Sequence, residues 1–244
     1  MPVAAHPFVA SKKVDTTLFA KGNSSNSIMN KPCDQPAFDL DLANNELRAS
    51  SPADIIRYAL QHSKRPMIST SFGAHSAAML HMVVEQCPDI SVVWADSGYN
   101  TSATYRFADK LIKELDLNMQ VYVPLVTAAH LNARNGGIPD ADTVAHQEFS
   151  KIVKIEPFNR AFADLQPDLW LNGMRKEETE FRKKQSVFTF DKARNTLKAA
   201  PLFNLSEGEV EAYLKTHSLP MEHDYFDPTK VAPNQECGLH TYMI

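Results

Sequence analysis

From Pro66 onward the chain alternates short apolar runs with longer segments of helical apolar spacing, and that alternation leaves little choice of architecture. Residues 66–69, 90–95, 119–123 and 169–172 read as strands, and 74–86, 102–115, 157–165 and 206–217 read as helices. Strands separated by helices of ten or more residues cannot be joined as hairpins. Each connection must cross over the sheet, which predicts an α/β fold with a mostly parallel sheet and helices on both faces. Just before this pattern, Ser51 is a helix N-cap with Pro52 at the first helical position, and Ile55, Ile56, Ala59 and Leu60 form its buried stripe. Residues 1–50 are poor in periodicity and rich in Ser, Asn, Pro and Lys, so they read as a loose arm with one short helix over 40–48. The expected division is therefore an arm over 1–50, a nucleotide-binding α/β domain over 51–225 and a mobile tail over 226–244. In open sheets of this kind ligands bind beyond the carboxyl ends of the strands, which is where the polar motifs of this chain fall.

Composition removes several classes of function. A chain of 244 residues with 43% hydrophobic and 22% charged residues is an ordinary globular protein with a sizeable core. Its net charge of −4 argues against a nucleic-acid-coating surface, so any anionic ligand must meet a local concentration of basic groups. The cysteines, Cys33, Cys87 and Cys237, are odd in number and far apart, with no pair spaced for zinc or an iron–sulfur cluster. Met1 to Ala10 has no cationic start followed by a long apolar core, and no apolar run approaches a membrane span. The expected compartment is the reducing cytoplasm.

Three strand ends and the terminus carry the chemistry. Ser69-Thr70-Ser71-Phe72-Gly73-Ala74-His75-Ser76 joins the first strand to a helix, and a loop of small hydroxyl residues and glycine opening a helix presents N–H groups to phosphate or sulfate. It lacks the lysine of a P-loop, and an ordinary Ser-capped turn is an equal reading. Asp96, at the end of Trp94-Ala95-Asp96-Ser97-Gly98-Tyr99, is placed to accept from a ribose hydroxyl or adenine amine, with Gly98 allowing close approach; Asp-Ser-Gly is also a common turn. Lys154 lies in Lys154-Ile155-Glu156-Pro157. The strand over 169–172 leads into Gly173, Met174, Arg175 and then Arg182-Lys183-Lys184. Gathered at one sheet edge, these cations would bind a multiply charged anion, with Arg175 and Arg182 the expected ligands and Lys183 and Lys184 on the surface. The interspersed Glu177, Glu178 and Glu180 support the alternative of a salt-bridged helix. Near the terminus, Cys237 sits beside Gly238 and three residues before His240, a setting in which an imidazolium lowers a thiol pKa and glycine lets a partner reach the sulfur.

Ser69–Gly73, Asp96-Ser97-Gly98-Tyr99, Lys154–Pro157, Asn172-Gly173-Met174-Arg175 and Glu236-Cys237-Gly238-Leu239-His240 together resemble the phosphoadenylyl-sulfate (PAPS) and adenylyl-sulfate (APS) reductases, in the right order over 66–240. The resemblance implies an adenine-nucleotide α-hydrolase-like fold. It implies that Ser69, Ser71, Phe72, Gly73, Asp96 and Gly98 hold the adenosine, while Lys154, Gly173, Arg175, Arg182 and His240 meet the rest of the substrate. Cys237 would attack the sulfur and carry an S-sulfonate that thioredoxin or glutaredoxin resolves, and the protein would be a homodimer without nucleic-acid or membrane partners. Cluster-bearing members have a cysteine pair just before the equivalent of Lys154. Here that stretch is Glu148-Phe149-Ser150-Lys151-Ile152-Val153, so no bound metal or cofactor is expected and the 3′-phosphorylated substrate is favoured. The segment 226–235 is shorter than the family's usual one, which carries arginines; Lys230 is the cation available there. Two other readings stay open: a sulfur or thiol transferase of the same fold acting on another adenylated substrate, and a non-catalytic nucleotide-binding redox module.

Overall fold

A computed structural model describes residues 38–230 of the chain. Helix α1 (Leu40–Glu46) is capped by the Asp39 carboxylate and buries Ala43 in the core, so this stretch packs on the domain rather than apart from it. In α2 (Pro52–Gln61) Ser51 caps as its sequence position requires, and Ile55, Ile56 and Ala59 are buried. The chain then runs through β1 (Pro66–Thr70), α3 (Ser76–Val84), β2 (Ser91–Ala95), α4 (Ser102–Glu114) and β3 (Met119–Tyr122). Next come α5 (Ala128–Asn135), α6 (Val144–Ser150) and α7 (Glu156–Leu165), with one π-helical turn over Lys151–Ile155 joining the last two. After β4 (Leu169–Leu171) follow a short 3₁₀ turn (Lys176–Glu178), α8 (Glu180–Lys183), β5 (Phe188–Asp191), β6 (Thr196–Ala199) and α9 (Glu207–Thr216).

The strands form one sheet in the order β3-β2-β1-β4-β6-β5, parallel throughout except that β5 runs antiparallel to β6 at the edge. Side chains alternate across each strand, so the two faces divide residue by residue. Ile68, in register with Val92 and Leu171, enters the larger core with Trp94, Leu169, α2, α3, α4 and α9. Met67, in register with Trp170, joins Val93 on the opposite face beneath Phe158 and Phe162 of α7. Burial on both faces explains why these strands read as continuous apolar runs.

Among the elements absent from the periodicity are the β5–β6 hairpin and helices α5 and α6. The β5–β6 hairpin is short and carries Lys198, whose ammonium lies 4.9 Å over the Trp170 ring; cation–π contact makes a buried lysine tolerable in a strand. Helix α5 buries only Leu131, and α6 buries His146, Phe149 and Ser150, too few apolar positions to draw a stripe. Among the described residues no helix is long and apolar enough to cross a membrane.

The chain lays down β1, β2 and β3 outward in one direction, then returns to place β4 on the other side of β1. Strand order reverses there, and a crevice opens between the carboxyl ends of β1 and β4.

Candidate active site

The loop leaving β1 is held by its own polar atoms. The Phe72 N–H donates to Thr70 Oγ1 at 3.0 Å, and Ser76 Oγ donates to the Gly73 carbonyl at 2.7 Å. Phe72 has φ +53°, a left-handed conformation disfavoured for a residue with a side chain. Its ring is fully buried, edge-on to Trp94 with centroids 4.8 Å apart, and this packing holds the turn. The Phe72 side chain anchors the loop from the core, which leaves its backbone as the part that could meet a ligand. Ser69 is fixed from the neighbouring strand, where Trp170 Nε1 donates to its Oγ at 2.7 Å.

Above the crevice lies a cavity of about 390 Å³, within the size range of small-molecule sites. The strand–helix loop contributes Ser69, Ser71, Gly73 and His75; the end of β4 contributes Asn172, Gly173 and Arg175; and Lys154, Glu178 and Arg182 close the walls. Of the expected binding residues, the fold thus brings together Ser69, Ser71, Gly73, Lys154, Gly173, Arg175 and Arg182. Asp96 and Gly98 are not on the wall, although Ala95 is. Asp96 Oδ1 accepts from the Gly98 N–H (2.9 Å), Asn100 Nδ2 (2.8 Å) and Tyr105 OH (2.9 Å), so its carboxylate organises the β2–α4 turn. Burial and then this hydrogen bond push the Tyr105 hydroxyl up to about 12. Cys237 and His240 lie outside the described residues.

The cavity's cations are buried: Lys154 is 8% exposed, Arg175 4% and Arg182 9%. Burying charge requires partners, and each has a carboxylate. Lys154 pairs with Asp227 and also donates to Thr229 Oγ1 at 3.3 Å. Arg175 pairs with Glu177, and its Nη2 lies 3.8 Å from Glu178; Arg182 pairs with Glu178 as well. Burial works to raise the Asp227 pKa, but the Lys154 ammonium and the hydrogen bonds from Thr229 outweigh it and hold the carboxyl below its ordinary range. Lys183 and Lys184 are exposed, as expected.

His75 is a member that sequence reasoning missed. Arg175 Nη2 donates to its Nδ1 at 3.5 Å, so the ring accepts there and carries its proton on Nε2, 4.0 Å from Glu207. Burial and then the Arg175 charge keep the imidazole below its ordinary pKa and therefore neutral near pH 7. Tyr225, Asp227 and Lys230 also line the cavity, the first lying over the Gly73 backbone. Residues 226–230, grouped by sequence with the tail, include the buried Pro228, whose carbonyl accepts from His146 Nε2 at 3.1 Å, and the buried Thr229. No periodicity marks these residues; only their pairing across the fold shows them. Cys87 is a poor nucleophile, because burial and then the Asp89 charge push its thiol pKa up.

The parallel sheet, with a serine-rich loop, a helix start and buried cations at its reversal point, has an adenine-nucleotide α-hydrolase-like fold. The fold agrees with that of the phosphoadenylyl-sulfate (PAPS) reductase from Candida auris, crystallised as a phosphate complex: TM-score 0.65 at 21% identity, over 76% of this chain and 90% of that one. Within this class the chain belongs to the family of the phosphoadenosine phosphosulfate reductase domain, whose sequence model matches residues 65–227. It is 36% identical over 183 residues to a phosphoadenosine 5′-phosphosulfate reductase of Xanthomonas campestris pv. campestris, covering 75% of each protein. It is 34% identical over 190 residues to the protein of that name from Xylella fastidiosa, covering 78% of this chain and 79% of the other. The chain is an oxidoreductase of this family.

Proposed function

We propose that the protein reduces 3′-phosphoadenylyl sulfate to sulfite and adenosine 3′,5′-bisphosphate with electrons from a dithiol protein, thioredoxin or glutaredoxin. The observation that carries this reading is the convergence of buried Lys154, Arg175 and Arg182 on a cavity whose other wall is the Ser69–Gly73 loop. Such a site suits an adenylated, multiply charged anion: backbone N–H groups and hydroxyls on one side, guanidinium groups on the other. Sulfonyl transfer to a thiolate brings two anions together, and cations on the nonbridging oxygens relieve that repulsion.

In the proposed reaction the Cys237 thiolate attacks the sulfate sulfur. The S–O bond to the nucleotide breaks, its electron pair leaves with the bisphosphate, and Cys237 holds an S-sulfonate. A thiolate of the donor then attacks the Cys237 sulfur, and sulfite leaves with the electrons of the S–S bond. The second donor thiol closes a disulfide and regenerates Cys237. His240 would stabilise the thiolate, and no iron–sulfur cluster takes part. Cytoplasmic location and a homodimeric state belong to the same proposal.

Mixing the protein with PAPS, without reductant, tests the covalent step by mass spectrometry. A sulfonate adduct on Cys237 is expected, and Cys237→Ser is expected to bind nucleotide yet release no sulfite. Sulfite production by that variant would refute the mechanism. Charge-assisted pairing with the 3′-phosphate should favour PAPS over APS about ten- to a hundredfold in kcat/KM; equal values would refute the substrate assignment.

A further inference from the structure

Glu178 does more than neutralise the buried Arg182. Its Oε2 accepts from the Arg175 backbone N–H at 3.3 Å and pairs with Arg182, and its Oε1 lies 3.8 Å from Arg175 Nη2. One carboxylate thus gathers two guanidinium groups and a main-chain amide, the donor set that suits a sulfate or phosphate oxygen. Exposure runs in one direction: the Glu178 side chain is 33% exposed, against 5% for Arg175 and 10% for Arg182. Glu178 is thus the most exposed of the three, and it lines the cavity together with both arginines. Glu177 differs. It too pairs with Arg175, but its Oε1 also accepts from the Glu207 N–H at 2.6 Å, which ties it to the start of α9, and it does not line the cavity.

We propose that Glu178 is an internal counter-anion: it fills the arginine nest in the free protein and is displaced by the anionic group of the ligand, which makes it a specificity-determining residue. The inference rests on reading the cavity as the phosphosulfate site. A ligand entering the nest must replace a full carboxylate charge, so a neutral or singly charged group gains nothing over Glu178. A multiply charged group keeps both guanidinium contacts and adds charge, while the displaced carboxylate regains water through the cavity mouth. Glu178 thereby discriminates by ligand charge, and it refills the nest when product leaves.

Glu178→Gln tests this, because it keeps side-chain length and an oxygen for the Arg175 N–H but removes the competing charge. Binding of inorganic pyrophosphate and of adenosine 3′,5′-bisphosphate to the full-length protein would be measured by calorimetry at low salt. Both are expected to tighten about tenfold, the scale of one charge-assisted contact. In turnover, KM should fall while kcat does not rise, since product is held longer. A purely structural Glu178 would do the reverse, weakening both anions and raising KM, and that result would overturn the proposal. Unchanged pyrophosphate affinity would also overturn it. If pyrophosphate tightens but neither protein binds the nucleotide, the counter-anion role stands and the phosphosulfate reading fails. Should Glu178→Gln not fold, Glu178→Asp serves: its shorter carboxylate cannot span both arginines, and tighter pyrophosphate binding is again expected.

Discussion

Removing the carboxylate from Asp227 while keeping its shape puts the buried ion pair to the test. In Asp227→Asn the amide still accepts from the Thr229 N–H and Oγ1, which donate to Asp227 Oδ1 at 3.0 and 2.7 Å. What disappears is the negative charge that Asp227 sets against Lys154, whose side chain is only 10% exposed. Removing one partner of a buried ion pair costs about 3–5 kcal/mol. A second route bounds the same number. Lysine can escape by shedding its proton, and from an ordinary pKa of about 10.4 to pH 7, at about 1.36 kcal/mol per pH unit, that costs roughly 4.6 kcal/mol. The two routes agree, so urea denaturation at pH 7 should show a loss of about 3–5 kcal/mol. The sign of the pH dependence follows from linkage. In the variant the folded-state lysine pKa is depressed, so between that value and about 10.4 the unfolded chain binds the extra proton and stability rises with pH. The wild type, with its pair intact, should not show that rise. Lys154→Met combined with Asp227→Asn should recover most of the loss, because the buried charge is gone. A loss under about 1 kcal/mol, as for a surface pair, or a double variant no more stable than the single one, would refute the reasoning.

His75 supplies a separate pH signature. Its folded pKa is depressed from 6.5 by burial and then by Arg175, opposed by Glu207, Glu211 and Glu177, so the unfolded chain takes up the proton first on acidification. Stability should therefore fall as pH drops below about 6.5, and His75→Gln should flatten that part of the curve; a flat wild-type curve between pH 7 and 5 would contradict the assignment. The depressed Asp227 carboxyl acts in a different window, below its ordinary 3.8. Phe72→Ala keeps the left-handed turn but empties a fully buried ring site, and thermal or urea unfolding should show a loss of about 3–5 kcal/mol. Nucleotide affinity should fall with it, because the Ser69–Gly73 loop loses its anchor; unchanged affinity in the folded variant would show that the loop holds its shape without the ring.

The architecture of this protein was legible because the signals that specify it are local. Ser51, Thr101 and Ser206 cap helices through N–H groups three residues away, and the apolar runs of β1, β2 and β4 announce burial on both faces. The serine loop and the cations Lys154, Arg175 and Arg182 could be nominated by residue type and by their position after strands. What each side chain does there was decided by partners far along the chain. Asp227 meets Lys154 across 73 residues, and Arg175 meets His75 across 100. Asp96 could be nominated as a ligand group at a strand end, but that Tyr105 and Asn100 fold back onto its Oδ1 could not be read from spacing. The β5–β6 hairpin escaped notice because Lys198 reads as polar until Trp170 is laid beneath it. Periodicity and capping depend on neighbours within a few residues. Neutralising a buried charge depends on which carboxylate the completed fold delivers, and spacing carries no record of that.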